Sequence, residues 1–309
     1  MRIKLLHIIV AFALLPVCSQ CSKQELEVPA VIDKTRHELP AGARALKVLA
    51  IGNSFTDDPL AYFDALVRAS GIDRSSLCVY AAVKGGTSLE YWAGVCNNGD
   101  NVTITPRSGL MTMPITEAPL NELLAQDWDV VTVQQLSNLA QDAGTFSPEL
   151  PYLVSQIREN CPNKEVVIAF QQVWSYWEGT LETSIANWQR ISDVAQSTTD
   201  YGIDMIIPTG TAIQNARATA LNTSHGLLRD DKHLGFGVGR YVAACAWFEA
   251  LIAPVYGVSV VGNTAIHDIT ETERANTKYE TSPVTHLNRA LCQQCAAAAV
   301  AHPFQLSPP

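Results

Sequence analysis

The residues best suited to chemistry in this chain of 309 residues are a serine near its start and an acid–imidazole pair near its end. Ser54 stands in Gly52-Asn53-Ser54-Phe55-Thr56, directly after the apolar run 46–51. Far downstream, Asp230-Asp231-Lys232-His233 carries a carboxylate and an imidazole at close spacing. A serine hydroxyl is a weak nucleophile until a base takes its proton. An imidazole within hydrogen-bond reach does this, and a carboxylate fixes the tautomer of that imidazole. The pattern predicts Ser54 as nucleophile, His233 as base and Asp230 as its orienter, with Asp231 as the neighbouring competitor.

Acyl transfer also needs hydrogen-bond donors for the oxyanion of a tetrahedral intermediate. The Ser54 amide is one candidate. Gly85 or Gly86, in Lys84-Gly85-Gly86-Thr87, is the second, because glycine lets backbone approach a reacting carbonyl closely. A side-chain amide from Gln134, Gln135 or Asn138 would complete the set. Trp174, Tyr176 and Trp177 follow a predicted strand with Gln171 and Gln172 beside them, and Tyr91-Trp92 follows the glycine pair. Aromatic faces at a loop-lined mouth suit sugar rings, so Trp174 and Gln172 are taken as substrate-binding residues. Asp57 and Arg229 read as exposed, solvating charges.

Other chemistries find less support. His37, His225, His286 and His302 show no ligand spacing, so no metal site is expected. Cys292-x-x-Cys295 lies in an Ala-rich helical pattern and reads as small buried residues. Neither a Gly-x-x-x-x-Gly-Lys run nor a strand-linked Gly-x-Gly-x-x-Gly is present, and no cofactor is implied. The net charge of −9 comes without a Lys/Arg-rich block, which argues against nucleic-acid binding.

These residues must be positioned by a scaffold. Strand-like runs lie at 46–51, 77–83, 130–133, 165–170 and 204–207. Helical patterns fall between them, one of them starting at Asp58-Pro59 and running through Leu60, Phe63, Leu66 and Val67. Alternation of strands and helices predicts a parallel sheet covered on both faces, a three-layer α/β/α sandwich. In such folds the loops at the carboxyl ends of the strands build the site. Ser54, Gly85, Gln134 and Gln135 all follow such ends. The stretch 92–114, rich in Asn, Gly and Thr, reads as a binding loop or small insertion. Cys78 and Cys96 flank a predicted loop and are candidates for a disulfide.

With these pieces placed, residues 46–252 resemble the SGNH/GDSL hydrolase superfamily. The resemblance rests on Gly52-Asn53-Ser54-Phe55, Gly85-Gly86-Thr87-Ser88, a polar amide after the third strand, and Asp230-x-x-His233. It implies a flavodoxin-like α/β fold with a mostly parallel five-stranded sheet. It also implies Ser54 as nucleophile, the Ser54 and Gly85 amides as oxyanion donors, and Asp230 and His233 as the other catalytic pair. Two blocks depart from the pattern. The first reads Gly-Asn-Ser rather than Gly-Asp-Ser, which removes a charge beside the nucleophile. The third lacks a clean Gly-x-Asn, and Gln135, nearer the strand end than Asn138, is assigned its role. The Gly-x-Ser-x-Gly elbow of the α/β-hydrolases does not match the Ser54 region.

The ends of the chain differ from its middle. Arg2 and Lys4 precede an apolar run from Leu5 to Val17, followed by Cys18, Cys21 and polar residues. Residues 1–21 are expected to be an export signal of lipoprotein type, with Cys18 and Cys21 as the candidate lipidation sites and Cys21 preferred because a polar tether begins there; a plain secretion signal or a retained anchor is the alternative. Residues 22–44 then form a linker and 45–305 the hydrolase domain. The expected protein is an exported serine esterase, in the cell envelope, periplasm or medium, that removes an acyl group, acetyl foremost, from a carbohydrate ester. A glycan-binding protein of the same fold without turnover and a hydrolase of lipid or other acyl esters are the alternatives.

Overall fold

A computed structural model of the protein describes residues 45–110 and 113–309. The export signal over 1–21, the linker over 22–44 and Cys21 lie outside the described residues.

The scaffold is a six-stranded sheet in the order β4-β2-β1-β6-β7-β8. Its strands are β1 (Leu46–Gly52), β2 (Leu77–Val83), β4 (Thr105–Gly109), β6 (Val130–Val133), β7 (Val167–Gln171) and β8 (Met205–Ile207). β3 (Asn101–Thr103) and β5 (Glu117–Pro119) pair apart from it as an antiparallel ribbon. The expected strands are all parallel neighbours in the order β2-β1-β6-β7-β8. The addition is β4, which runs antiparallel along the free edge of β2. It carries Pro106, as an edge strand can, because its outer face needs no ladder donor.

Successive side chains of a strand point to opposite faces, and here both faces are dry. In β1, Val48 and Ala50 enter one core while Leu49 and Ile51 enter the other. β7 divides the same way, Val167 and Ala169 against Ile168 and Phe170. The near-continuous apolar runs follow from this double burial.

The first core is covered by α1 (Ser54–Ala69), α6 (Thr209–Arg217), α7 (Val238–Leu251) and α10 (Arg289–Ala301). The second is covered by α2 (Leu89–Asn98), α3 (Leu120–Leu124) and α4 (Glu149–Asn160). α5 (Leu181–Ser197) feeds both, through Ile191 and Ala195. The short α8 (Ala253–Tyr256) and α9 (Glu271–Ala275) complete the helices. The result is a three-layer α/β/α sandwich with flavodoxin-like order among its parallel strands. No helix among the described residues is long and apolar enough to cross a membrane.

Three local expectations need correction. α1 starts at Ser54, capped by Asn53, rather than at Asp58-Pro59. Pro59 therefore sits inside the helix and cannot donate to the Phe55 carbonyl one turn back. That carbonyl accepts from Gln171 Nε2 at 2.7 Å instead, so the missing donor is replaced from the end of β7. The stretch read as a loop over 92–114 contains most of α2, all of β3 and all of β4. Cys78 and Cys96 are free thiols.

Candidate active site

The carboxyl ends of β1, β2 and β6 converge on one hub, Asn53, which is 1% exposed. Its Oδ1 accepts from the Phe55 amide at 2.9 Å, capping α1, and from Gln134 Nε2 at 2.6 Å. Its Nδ2 donates to the Thr87 carbonyl at 2.8 Å. A carboxylate has no N–H to offer Thr87, so asparagine is the residue this junction requires. The departure from Gly-Asp-Ser thus has a structural cause. Gln134 also accepts from Thr56 Oγ1 at 2.6 Å, which fixes the first turn of α1 against β6.

Capping in this way delivers Ser54 to the first turn of a sixteen-residue helix. Its amide has no carbonyl of its own helix to serve, and the helix N-terminus favours developing negative charge there.

Across from it, His233 Nε2 lies 2.9 Å from Ser54 Oγ, and His233 Nδ1 lies 2.8 Å from Asp230 Oδ2. Burial works to raise the Asp230 carboxyl. The His233 and Lys232 amides and the His233 ring outweigh it and hold the carboxyl below its ordinary value. An ionised carboxylate only accepts, so His233 Nδ1 carries the proton. Nε2 is then left as an acceptor for the serine hydroxyl. Asp230 Oδ1 takes the amides of Lys232 at 2.8 Å and His233 at 2.7 Å, which turns the loop so that the imidazole faces its own acid. Asp231 points away to Lys278 Nζ at 2.8 Å and Tyr279 Oη at 2.9 Å.

Ser54 and His233 line an open cleft of about 770 Å³ together with Phe55, Gly85, Gly86, Leu136, Asn138 and Tyr176. Gly85 and Gly86 are exposed at the turn after β2. A second groove of about 370 Å³, between α2 and α4, shares no lining residue with the cleft and holds neither serine nor imidazole. Among the described residues no group of three His, Cys, Asp or Glu side chains is placed to hold a metal ion.

Four sequence-based assignments do not fit their surroundings. Gln135, expected as an oxyanion donor, is 1% exposed. Its Oε1 accepts from the amides of Leu89 and Leu136, and its Nε2 donates to the Thr145 carbonyl at 2.7 Å. It is a strut under α2. Asn138, the alternative, is exposed and lines the cleft.

Trp174 and Gln172, expected to touch substrate, are both 0% exposed. The Trp174 ring stacks on Phe55 at 3.9 Å, and its Nε1 donates to the Lys232 carbonyl at 2.8 Å. Gln172 bonds Ser192 Oγ at 2.7 Å and Thr211. Of the aromatic run, Tyr176 alone reaches the cleft, with its hydroxyl 2.7 Å from Ser137 Oγ. Arg229, expected as a solvating charge, is 14% exposed at its side chain and pairs with buried Asp58.

Sequence reasoning missed the supporting roles of Asn53, Gln134, Phe55 and Asp58. The signal for Asp58 was its spacing from Ser54, one helical turn, which becomes visible once α1 begins at Ser54.

A family model described as "Domain of unknown function (DUF4886)" matches residues 47–282. A crystal structure of a DUF4886 family protein from Bacteroides uniformis is 29% identical, with a TM-score of 0.67 over 85% of this chain and 98% of that one. A putative SGNH hydrolase from Slackia heliotrinireducens is 19% identical, with a TM-score of 0.46 over 67% of this chain and 100% of the other. A variant of an acetylxylan esterase from Geobacillus stearothermophilus is 14% identical, with a TM-score of 0.46 over 70% of this chain and 98% of the other. No match to a curated protein was found.

Proposed function

The chain belongs to the DUF4886 family, and we propose that it is a serine carboxylic-ester hydrolase of SGNH type. The observation that carries this reading is the 2.9 Å contact between Ser54 Oγ and His233 Nε2 at the floor of an open cleft. In the proposed course Ser54 Oγ attacks the ester carbonyl and its proton passes to Nε2. Asp230 stays ionised and stabilises the imidazolium that forms. The Ser54 and Gly85 amides receive the oxyanion, with the Asn138 side chain as third donor in place of Gln135. His233 then protonates the departing alcohol. Water attacks the acyl-serine, gives its proton to His233, and the acid leaves with Ser54 restored.

The substrate class in this proposal is an acyl ester of a carbohydrate, acetyl foremost. Its support is the resemblance of the sequence blocks and the polar lining of the cleft by Ser137, Asn138, Tyr176 and Lys232. Export and lipid attachment at Cys21 belong to the same proposal, and the intact mass of the mature chain reads both.

The experiment offers the protein a small acetyl ester and a serine-directed phosphonate, beside the Ser54→Ala variant. Turnover is expected to fall on the order of 10⁴-fold or more in the variant, and labelling to vanish. Equal turnover by both proteins rules the assignment out. Acetylated glycans set against longer acyl esters then read the acyl and acceptor preference.

A further inference from the structure

The base loop is gripped from the nucleophile's own helix. Residues one turn apart on a helix share a face, and Asp58 stands one turn after Ser54 in α1. Its side chain is 1% exposed. Oδ2 accepts from the Leu234 amide at 2.8 Å. Oδ1 accepts from Arg229 Nη1 at 2.8 Å and from Arg240 Nε at 2.9 Å. Arg229 immediately precedes Asp230 and Leu234 immediately follows His233. One carboxylate therefore holds both ends of the segment that carries the acid–base pair.

Further contacts close the grip. The Arg229 amide donates to the His233 carbonyl at 2.9 Å, and the Arg229 guanidinium also reaches the Leu234 carbonyl. The Phe236 ring lies against both guanidinium groups, 4.8 Å from that of Arg229 and 4.6 Å from that of Arg240. Arg240 belongs to α7, so α1, the base loop and α7 meet at this one anion.

Stability alone does not call for such a group, since replacing a buried ion cluster with apolar side chains of like volume is often neutral or stabilising. What a carboxylate adds is direction. It accepts from a backbone amide on one side of the loop and a planar guanidinium on the other. The loop tip has a separate peg in Trp174, which holds the Lys232 carbonyl. With the tip pegged and both ends clamped to α1, the imidazole has little freedom relative to the hydroxyl. A displacement of about 1 Å at a reacting pair costs about 10²-fold in rate.

We infer that Asp58 is a positioning residue: it sets the separation of His233 from Ser54, and its loss slows acyl transfer while leaving substrate binding intact. The inference rests on the serine-hydrolase reading for its kinetic consequence, but the geometric claim stands apart from turnover.

The test uses the full chain carrying Asp58→Asn or Arg229→Lys, with Asp57→Asn as the control. Asp57 is the adjacent residue and pairs with Arg107 rather than with the loop. With a small acetyl ester, Asp58→Asn is expected to lower kcat at least about tenfold with KM within about twofold. Phosphonate labelling of Ser54 should slow in parallel. Arg229→Lys keeps the charge but loses the guanidinium fork, and should lose less. The nitrogen resonances of the His233 ring should move away from their hydrogen-bonded positions in Asp58→Asn and stay put in Asp57→Asn.

A folded Asp58→Asn with wild-type kcat and unmoved His233 resonances overturns the inference. So does a rise in KM that accounts for the whole loss. If Asp58→Asn does not fold, Arg229→Lys decides by the same readouts. A wild-type protein that neither turns over nor labels ends the hydrolase reading instead, and the His233 resonances of Asp58→Asn still judge the clamp.

Discussion

At the residue scale, the glycines around the cleft have different reasons for being glycine. A Cβ at Gly52 would lie 2.2 Å from Thr56 Oγ1, so the fold itself forbids a side chain there. Gly86 has φ +73°, a left-handed backbone that favours glycine. At Gly85 neither reason applies: a Cβ would meet no protein atom within 4 Å, and φ is outside the left-handed region. Such a Cβ would enter open space, and Gly85 lines the cleft, so the fold does not require a missing side chain at this position. Gly85→Ala is accordingly expected to melt with the wild type while kcat/KM for a small acetyl ester falls about tenfold or more. Calorimetry beside steady-state kinetics checks both halves. A variant that works at full rate shows that a methyl group at position 85 is clear of the bound ester, and removes the steric reason for glycine there.

At the element scale, the position of the nucleophile depends on how α1 is entered and how the loop facing it is pegged. Asn53 caps the helix, Gln134 holds its first turn, and Gln171 serves the carbonyl that Pro59 leaves without a partner. Phe55, next to the nucleophile, stacks on Trp174, and Trp174 in turn holds the loop of His233. Nucleophile and base are thus tied through one aromatic pair beneath the cleft. Trp174→Phe preserves the stack but removes the Nε1–H donor and some volume. Its expected cost is about 1–3 kcal/mol of stability. On the order of a fivefold loss of kcat at constant KM should accompany it, because the loop tip is released while the cleft is not. Denaturant unfolding and kinetics on one preparation separate the two effects, and an unchanged kcat would leave Trp174 as core packing alone.

At the scale of the whole molecule, the double burial of the sheet that brings the site together also decides the chemistry of the cysteines. Cys78, Cys96, Cys161, Cys245, Cys292 and Cys295 are all buried free thiols. Burial pushes Cys245 well above the ordinary thiol range and Cys295 up to about 12. The thiolate is the reactive form, so these groups are protected even in an oxidising compartment. The folded protein is expected to melt at the same temperature with and without reductant. Its six described thiols should take up an alkylating reagent, read by peptide mass, only after unfolding. A reductant-sensitive melting temperature would reveal a disulfide and count against this arrangement.

Much of the architecture was legible because its determinants are local. The five apolar runs declare strands buried on both faces, and their alternation with helical patterns declares a parallel sheet. Ser54, Gly85, Asp230 and His233 sit at strand ends and in one short loop, where their joint placement and the resemblance of the sequence blocks point to them. What sequence could not convey was direction. Gln135 and Asn138 are both amides after the same strand, and only packing sends the first under α2 and the second into the cleft. Trp174 and Tyr176 are two residues apart, yet one is buried and holds the Lys232 carbonyl while the other lines the cleft. β4 escaped notice because an edge strand of Thr, Pro, Arg, Ser and Gly has no pattern of its own and exists by pairing with the free side of β2. Asp58 reads as the start of a helix for the same kind of reason. Its partners, Arg229, Leu234 and Arg240, come from more than 170 positions away. Local propensity chose the elements, whereas the aim of each polar side chain was fixed by which buried donor or acceptor the tertiary fold left for it to satisfy.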